Sequence, residues 1–293
     1  MSLNVNWSNP YEMREGSWLK GNLHTHTDEG SRCGSVPTSR VLDLYVEAGF
    51  DFLAVSDHMV LTIPTRKGLV FIPGVEWNGP PGGHTGIYSM AQDAVRAAIA
   101  IDDQEQLLRE LAKKDALVVL NHPNWQLVPH YRREALYSIG LFDGIEIYNA
   151  VIERLPGYAI ATDKWDALLM NGQRVLGFAS DDSHQEADIG LGWICVRSPA
   201  RDAHTILDAM RRGNFYCSSG VVLSDIRREG NVITVESENA QEIQAIMDGG
   251  RRIARVSDSV LVYDVSGLEA DYVRFAAYGP GASMAWTQPF FLR

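Results

Sequence analysis

Histidines and carboxylates recur in this chain where apolar runs stop. His24 and His26 lie in NLHTHT, His58 in AVSDH, Glu76 closes LVFIPGVE, His122 lies in VVLNHP, and Asp182 and His184 lie in ASDDSH. His84 opens an apolar run in PGGHTG. In an extended strand residues i and i+2 face the same side, so His24 and His26 can present two imidazoles to one ion. Asp182 and His184 repeat that spacing. Glu76 has two oxygens with which to bridge two ions. An isolated His-x-His also describes two satisfied surface histidines; the companion residues favour metal. Imidazoles mixed with carboxylates suit Zn, Mn or Fe better than Ca or Mg.

For these residues to meet, strand ends must gather at one layer. Strands are expected at 18–23, 52–56, 70–75, 85–90, 117–120, 144–148, 175–179 and 190–196, and helices at 38–48, 103–114, 131–139, 159–170 and 203–211. The helices carry apolar residues at three- and four-residue spacing, as in Val41, Leu42, Tyr45 and Val46. Such alternation predicts a mostly parallel sheet, open or closed into a barrel, whose carboxyl edge collects the active-site residues. From Asn214 onward no helical pattern is found. Short alternating segments at 221–226, 232–236, 242–247, 260–265, 272–278 and 290–292, separated by turns such as Glu-Gly-Asn and Gly-Pro-Gly, predict a small antiparallel, sandwich-like module.

Several neighbours of the candidate ligands have readings of their own. Asp57 and Asn121 are read as outer partners that orient imidazoles. Asn149 is either another of these or a loop turn, and Glu146 is read as core-lining and paired. Arg154 and Lys164 either meet an anionic substrate group or are solvated helix charges. His130 and His204, in helical stretches, are expected at the surface. Trp77, Trp125 and Tyr148 wall a pocket or fill the core.

The motifs His24-Thr-His26-Thr, Ser56-Asp57-His58, Gly74-Val-Glu76, Asn121-His122-Pro123 and Asp182-Ser-His184 resemble, in order and spacing, those of the PHP (polymerase and histidinol phosphatase) superfamily of metal-dependent phosphoesterases. The resemblance spans about residues 18–214, and the tail, with GASMAWTQPFFL, is similar to the C-terminal β module of one branch. It implies an α/β fold, a distorted (β/α)7 barrel over residues 1–214, followed by a small all-β module over 215–293. It implies two or three divalent metal ions. The first would be held by His24, His26, Glu76 and Asp182; the second by Glu76, His122 and His84; the third by His58 and His184. One departure stands out. The family supplies a further ligand soon after the His-x-His pair, whereas the segment DEGSRCG, residues 28–34, has no histidine. Asp28, Glu29, Cys33 or water would have to substitute, and a Cys ligand would favour zinc.

The resemblance implies hydrolysis of a small-molecule phosphomonoester or phosphodiester by a metal-bridging hydroxide, with Asp182 or His184 passing a proton to the leaving oxygen. The alternatives are hydrolysis of a carboxylic ester, amide or carbamate by the same centre, and a non-catalytic, metal-stabilised binding domain. No Gly-x-Ser-x-Gly elbow, phosphate loop or Rossmann glycine fingerprint competes. The formal net charge of −11 disfavours nucleic acid as a partner. The 45% hydrophobic content excludes global disorder. An odd count of three cysteines argues against a disulfide scaffold and for a reducing cytoplasm, and neither a signal peptide nor a membrane segment is expected.

Overall fold

A computed structural model describes residues 9–79, 83–126 and 130–293. The loop WNGPPGG before His84 thus falls partly outside the described residues. Strand β1 (Ser17–Asn22) leads through α1 (Thr38–Glu47), which buries Val41, Leu42 and Tyr45, to β2 (Phe52–Leu53). The apolar run at 70–75 forms two strands, β3 (Val70–Phe71) and β4 (Gly74–Trp77), rather than one. Pro73 between them has no N–H to continue a ladder, and the chain changes sheets there.

β5 (Thr85–Tyr88) runs antiparallel to β4, because residues 78–84 are too few for the crossover that a parallel neighbour requires. Two helices packed on each other, α2 (Gln92–Ile99) and α3 (Gln104–Leu111), then lead to β6 (Leu117–Leu120), again antiparallel. α2 is absent from the sequence expectation because small side chains, Ala94 and Ala98 beside Val95, carry its buried face. The parallel pairing of β1 with β2 and of β2 with β3 returns with β6, β7 (Gly144–Asn149) and β8 (Leu176–Ser180), joined through α4 (Arg133–Ile139) and α5 (Thr162–Met170). β9 (Trp193–Ser198) pairs antiparallel with β1 and, after α6 (Ala203–Arg211), with β10 (Phe215–Ser218). The expected mostly parallel sheet is therefore corrected to a mixed α/β fold, with too few helices for one after each strand. No helix among the described residues is long and apolar enough to cross a membrane.

The remaining strands are β11 (Leu223–Glu229), β12 (Val232–Ser237), β13 (Glu242–Met247), β14 (Arg251–Val256), β15 (Val260–Asp264), β16 (Tyr272–Tyr278), β17 (Met284–Thr287) and β18 (Phe290–Phe291). β11, β12 and β15 make a three-stranded sheet; the others, with β10, β9, β1, β2 and β3, make a ten-stranded one. The two pack face to face over Ile226, Val235, Leu261, Ile243, Phe275 and Phe290, which gives the tail its sandwich character. The strands β4 to β8 form a third, five-stranded sheet. Two lone parallel bridges, Thr25 with Ser183 and His58 with Glu76, tie strand ends of the ten-stranded sheet to those of the five-stranded one.

A buried ion pair links the tail to the first part of the chain. Arg274 on β16 grips Asp166 on α5 through Nε at 2.7 Å and an NH2 group at 2.6 Å, and the Tyr272 hydroxyl donates to the same carboxylate at 2.9 Å. Removing one partner of a buried pair strands the other charge. Arg274→Ala is expected to cost about 3–5 kcal/mol in denaturant titration, while replacing Arg274 and Asp166 together by apolar residues recovers most of that.

Candidate metal centre

The two lone bridges explain how the candidate ligands converge. Thr25 pairs with Ser183, so His24 and His26 on one chain flank the same point as Asp182 and His184 on the other. The alternation of strand side chains sends Thr25 and Ser183 the other way, where their hydroxyls meet at 2.6 Å beside Tyr45. His58 bridges to Glu76 directly. The antiparallel register of β4 and β5 sets Glu76 opposite Gly86, which brings His84, just before β5, back over the carboxylate. His122 and Asp182 adopt φ values of 31° and 51°. This left-handed conformation is uncommon for residues other than glycine, although His and Asp adopt it more readily than most, and it concentrates at functional sites.

Glu76, 1% exposed, stands at the centre. Its Oε2 lies 3.1 Å from His24 Nε2, 3.2 Å from His26 Nε2 and 3.2 Å from His58 Nδ1. Its Oε1 lies 3.0 Å from His84 Nδ1 and 3.2 Å from His122 Nε2. Asp182 Oδ1 is 3.1 Å from His24 Nε2 and 3.2 Å from His26 Nε2. Yet His24 Nε2, His26 Nε2, His58 Nδ1 and Asp182 Oδ1 are buried without a hydrogen bond. One ring N–H cannot point at two carboxylate oxygens at once. Ligand atoms held about 2.0–2.2 Å from a shared ion stand roughly 3–3.6 Å apart, so the spacing fits a cation between them. Among the described residues, four sets of three such atoms lie within 4.8 Å of one another: His24, His26 and Glu76; His24, His122 and Asp182; His58, Glu76 and His84; and His26, His58 and His184.

The outer partners fix which ring nitrogen faces inward. His24 Nδ1 lies 2.8 Å from Glu146 Oε1, which leaves Nε2 for an ion. Glu146 also accepts the His122 backbone N–H at 2.7 Å and the Asn149 amide at 2.9 Å. Asn149 in turn reaches Asp182 Oδ2 at 3.1 Å, so it orients a carboxylate and is no loop turn. Asp57 acts through Ser31, whose hydroxyl donates to Asp57 at 2.8 Å and lies 3.1 Å from His26 Nδ1. Asn121 donates to Glu76 Oε1 at 2.9 Å and so holds the carboxylate rather than an imidazole. Glu146 thus joins three ligand-bearing segments. Glu146→Gln is expected to weaken metal binding about 10–100-fold in a chelator-competition titration.

Burial works against charge on His24, His26 and His122, but the surrounding carboxylates outweigh it and raise all three, His26 to about 9. The same pairing, against burial, holds Glu76, Asp182 and Glu146 below the usual carboxylate range. Burial lowers His58 to about 4 and lowers His184, so both offer lone pairs at neutral pH. An ion entering the centre displaces protons from the first group.

The segment 28–34 divides differently from expectation. Glu29 accepts the Thr38 N–H at 2.7 Å and caps α1, and Asp28 is exposed. Cys33 lines the cavity but belongs to none of the four sets. His204 is exposed, as expected. His130 is a correction: it is partly buried, its Nε2 accepts the His84 N–H at 3.1 Å, and its ring lies 5.0 Å from that of His84. Burial pushes it down to about 3, so it is a neutral acceptor that steadies His84. Nothing in VPHYRR signals this role. Arg154 is exposed at the end of a short helical turn, as a solvated helix charge would be, whereas Lys164 is buried. Arg154 clasps Asp188 at 2.7 and 2.8 Å, and Asp188 accepts the His184 N–H at 3.0 Å. Lys164 is 4% exposed and donates to the Pro123 carbonyl. Trp77 is core, Tyr148 stacks on Trp286, and Trp125 lines the cavity over the centre with His58, His84, His122, Leu155 and His184.

No family model matches the chain, and no curated protein matches its sequence. Among solved structures, a two-domain protein containing a predicted PHP-like metal-dependent phosphoesterase from Bacteroides vulgatus superposes with a TM-score of 0.53 at 18% identity, covering 94% of this chain and 95% of that one. A lesion-specific endonuclease from Pyrococcus furiosus gives 0.52 at 14% identity, over 68% of this chain and 56% of its own. At these identities the likeness is one of fold, and with the first structure it spans nearly the whole of both chains.

Proposed function

We propose that this PHP-like chain is a metal-dependent phosphoesterase acting on a small-molecule phosphoester. The observation that carries the reading is the set of buried, unbonded ligand atoms on His24, His26, His58 and Asp182 around the Glu76 carboxylate. Glu76, His24, His26 and Asp182 would hold one ion, His122 and His84 a second with Glu76, and His58 and His184 a third with His26 nearby. Two or three Zn, Mn or Fe ions would supply charge neutralisation for a phosphoryl group and an acidified water.

The protein's own groups do the rest. Glu146, Asn149, Ser31 and Asn121 hold the ligands in register. His184, its Nδ1 2.6 Å from the Asp182 carbonyl oxygen, keeps the Nε2 lone pair for the third ion. Burial pushes the Cys33 thiol up to about 11, so it is no nucleophile at neutral pH. The likeness to an endonuclease leaves the choice between a small ester and DNA to the surface, and the net charge of −11 favours the small ester.

The ring β1, β2, β4, β5, β6, β7, β8, closed by the two lone bridges, supports reading residues 1–214 as a distorted seven-stranded barrel, with 215–293 as the appended module. The test is elemental analysis of protein purified without chelator, followed by turnover of a nitrophenyl phosphate monoester, the matching diester and an acyl ester. Two or three metals per chain and cleavage of a phosphoester are expected. Metal-replete protein that cleaves only the acyl ester, or nothing, overturns the proposal.

A further inference from the structure

Two hollows adjoin at the metal centre, and they differ in size. The cavity that holds His58, His84, His122 and His184 measures about 170 Å³. A groove of about 690 Å³ lies beside it, and Ile152 and Leu155 wall both. Sites for whole small molecules run to about 300–1,000 Å³. The small cavity therefore matches the reacting group and little more, and the shared Ile152–Leu155 ridge offers the rest of a substrate a way into the larger groove.

The ridge is built onto the ligand segment. Trp125 pairs with Gly157, and the Tyr158 N–H donates to the Asn124 carbonyl at 3.0 Å. Gly157 has a φ of 130°, and a Cβ there would lie 2.4 Å from the Asn124 oxygen, so only glycine allows this approach. The groove is apolar along Leu155, Ala159 and Ile160, with Tyr158, 78% exposed, at its rim.

Lys164 lines the same groove from the first turn of α5. Its ammonium has three donors, and one goes to the carbonyl of Pro123, the residue after His122. Burial pulls Lys164 down to about 8, which leaves it cationic at pH 7. The acidic neighbour felt most strongly, Asp163, is engaged by Asn124 Nδ2 at 3.0 Å and Arg133 at 3.8 Å, and Glu153 sits exposed on the groove. A buried ammonium without a counter-charge of its own favours an incoming anion.

We propose that the groove takes the non-reacting end of the substrate, and that Lys164 selects there for a second anionic group, a carboxylate or a phosphate, carried on an apolar spacer. This rests on the phosphoesterase reading. The test uses metal-loaded, full-length protein and alkyl monophosphates, about three to six carbons long, ending in a carboxylate, a second phosphate or a neutral carboxamide. In the wild type the best anionic ester is expected to exceed its carboxamide counterpart about ten-fold in kcat/KM. Carboxylate against phosphate ranks the two sources. Lys164→Met is expected to bring that ratio near one, whatever happens to the carboxamide ester itself, and Lys164→Arg to keep part of it. A lysine that only braces Pro123 would lower all esters alike and leave the ratio intact, which overturns the proposal. So does a wild type without anion preference at any length, a result that needs no variant to fold. Failure to cleave any of these esters overturns the phosphoesterase reading along with this one; cleavage without preference overturns this one alone.

Discussion

Glu76→Gln is expected to empty the centre and abolish turnover together. The substitution keeps the shape of the side chain and removes its charge. Both oxygens of Glu76 are committed, Oε2 among His24, His26 and His58, Oε1 between His84 and His122. An amide would offer one oxygen and one NH2 group, and the NH2 group would face imidazole nitrogens that must themselves donate lone pairs. Both ligand sets therefore lose their shared member and gain a competing donor. The loss in kcat/KM should exceed the about 10–100-fold that removal of an outer partner costs. Elemental analysis should find less than one metal per chain. A Glu76→Gln protein with full metal content and turnover within about ten-fold of wild type would mean that this carboxylate bridges nothing.

The centre was legible in the sequence where the backbone period does the arguing. His24 and His26, and Asp182 and His184, read as ligands because i, i+2 spacing at a strand end leaves few other outcomes. Their convergence was not legible, since it depends on the lone Thr25–Ser183 bridge between two sheets. Glu146 was visible as a buried acid but read as core, because an apolar strand, GIEIYN, surrounds it; only the fold shows His24 Nδ1 beside it. Ser31 lies in a segment searched for ligands and turned out to link Asp57 to His26. The strand direction was misjudged for a related reason. Apolar runs at 70–75, 85–90 and 117–120 look alike whether neighbours run parallel or antiparallel, and the short loop before His84 decides it only for the first pair.

The same geometry separates the centre's ligands by what their loss should do. Residues that serve both sides of Glu76 would couple ions bound there; residues that touch one side would not. Arg154 and Asp188 add a further layer, since Asp188 holds the His184 N–H and Arg154 holds Asp188. The doubt about the third set that DEGSRCG raises thus narrows to whether His26, His58 and His184 suffice without a further side chain.

Asp182→Asn should uncouple metal content from turnover. Asp182 Oδ1 lies 3.1 and 3.2 Å from His24 and His26, with His184 Nδ1 at 3.7 Å and His122 also within ligating reach, and its Oδ2 is held by Asn149. The His84 and His122 side of Glu76 keeps its contacts without it. Asparagine is also among the residues that tolerate the left-handed backbone found at this position, so the loop should fold as before. The variant is expected to lose the ion nearest His24 and His26 and to retain its neighbour, a drop of about one metal per chain. Turnover should still fall by more than about 10–100-fold, because a lone ion cannot clamp both the attacking and the leaving oxygen. Measured beside Glu76→Gln, the pair forms an ordered series: complete metal loss for the carboxylate at the centre, partial loss for Asp182, and inactivity in both. Asp182→Asn protein that keeps its metals and its rate would remove Asp182 from the centre, and equal metal loss in both variants would mean that the ions bind only as a unit.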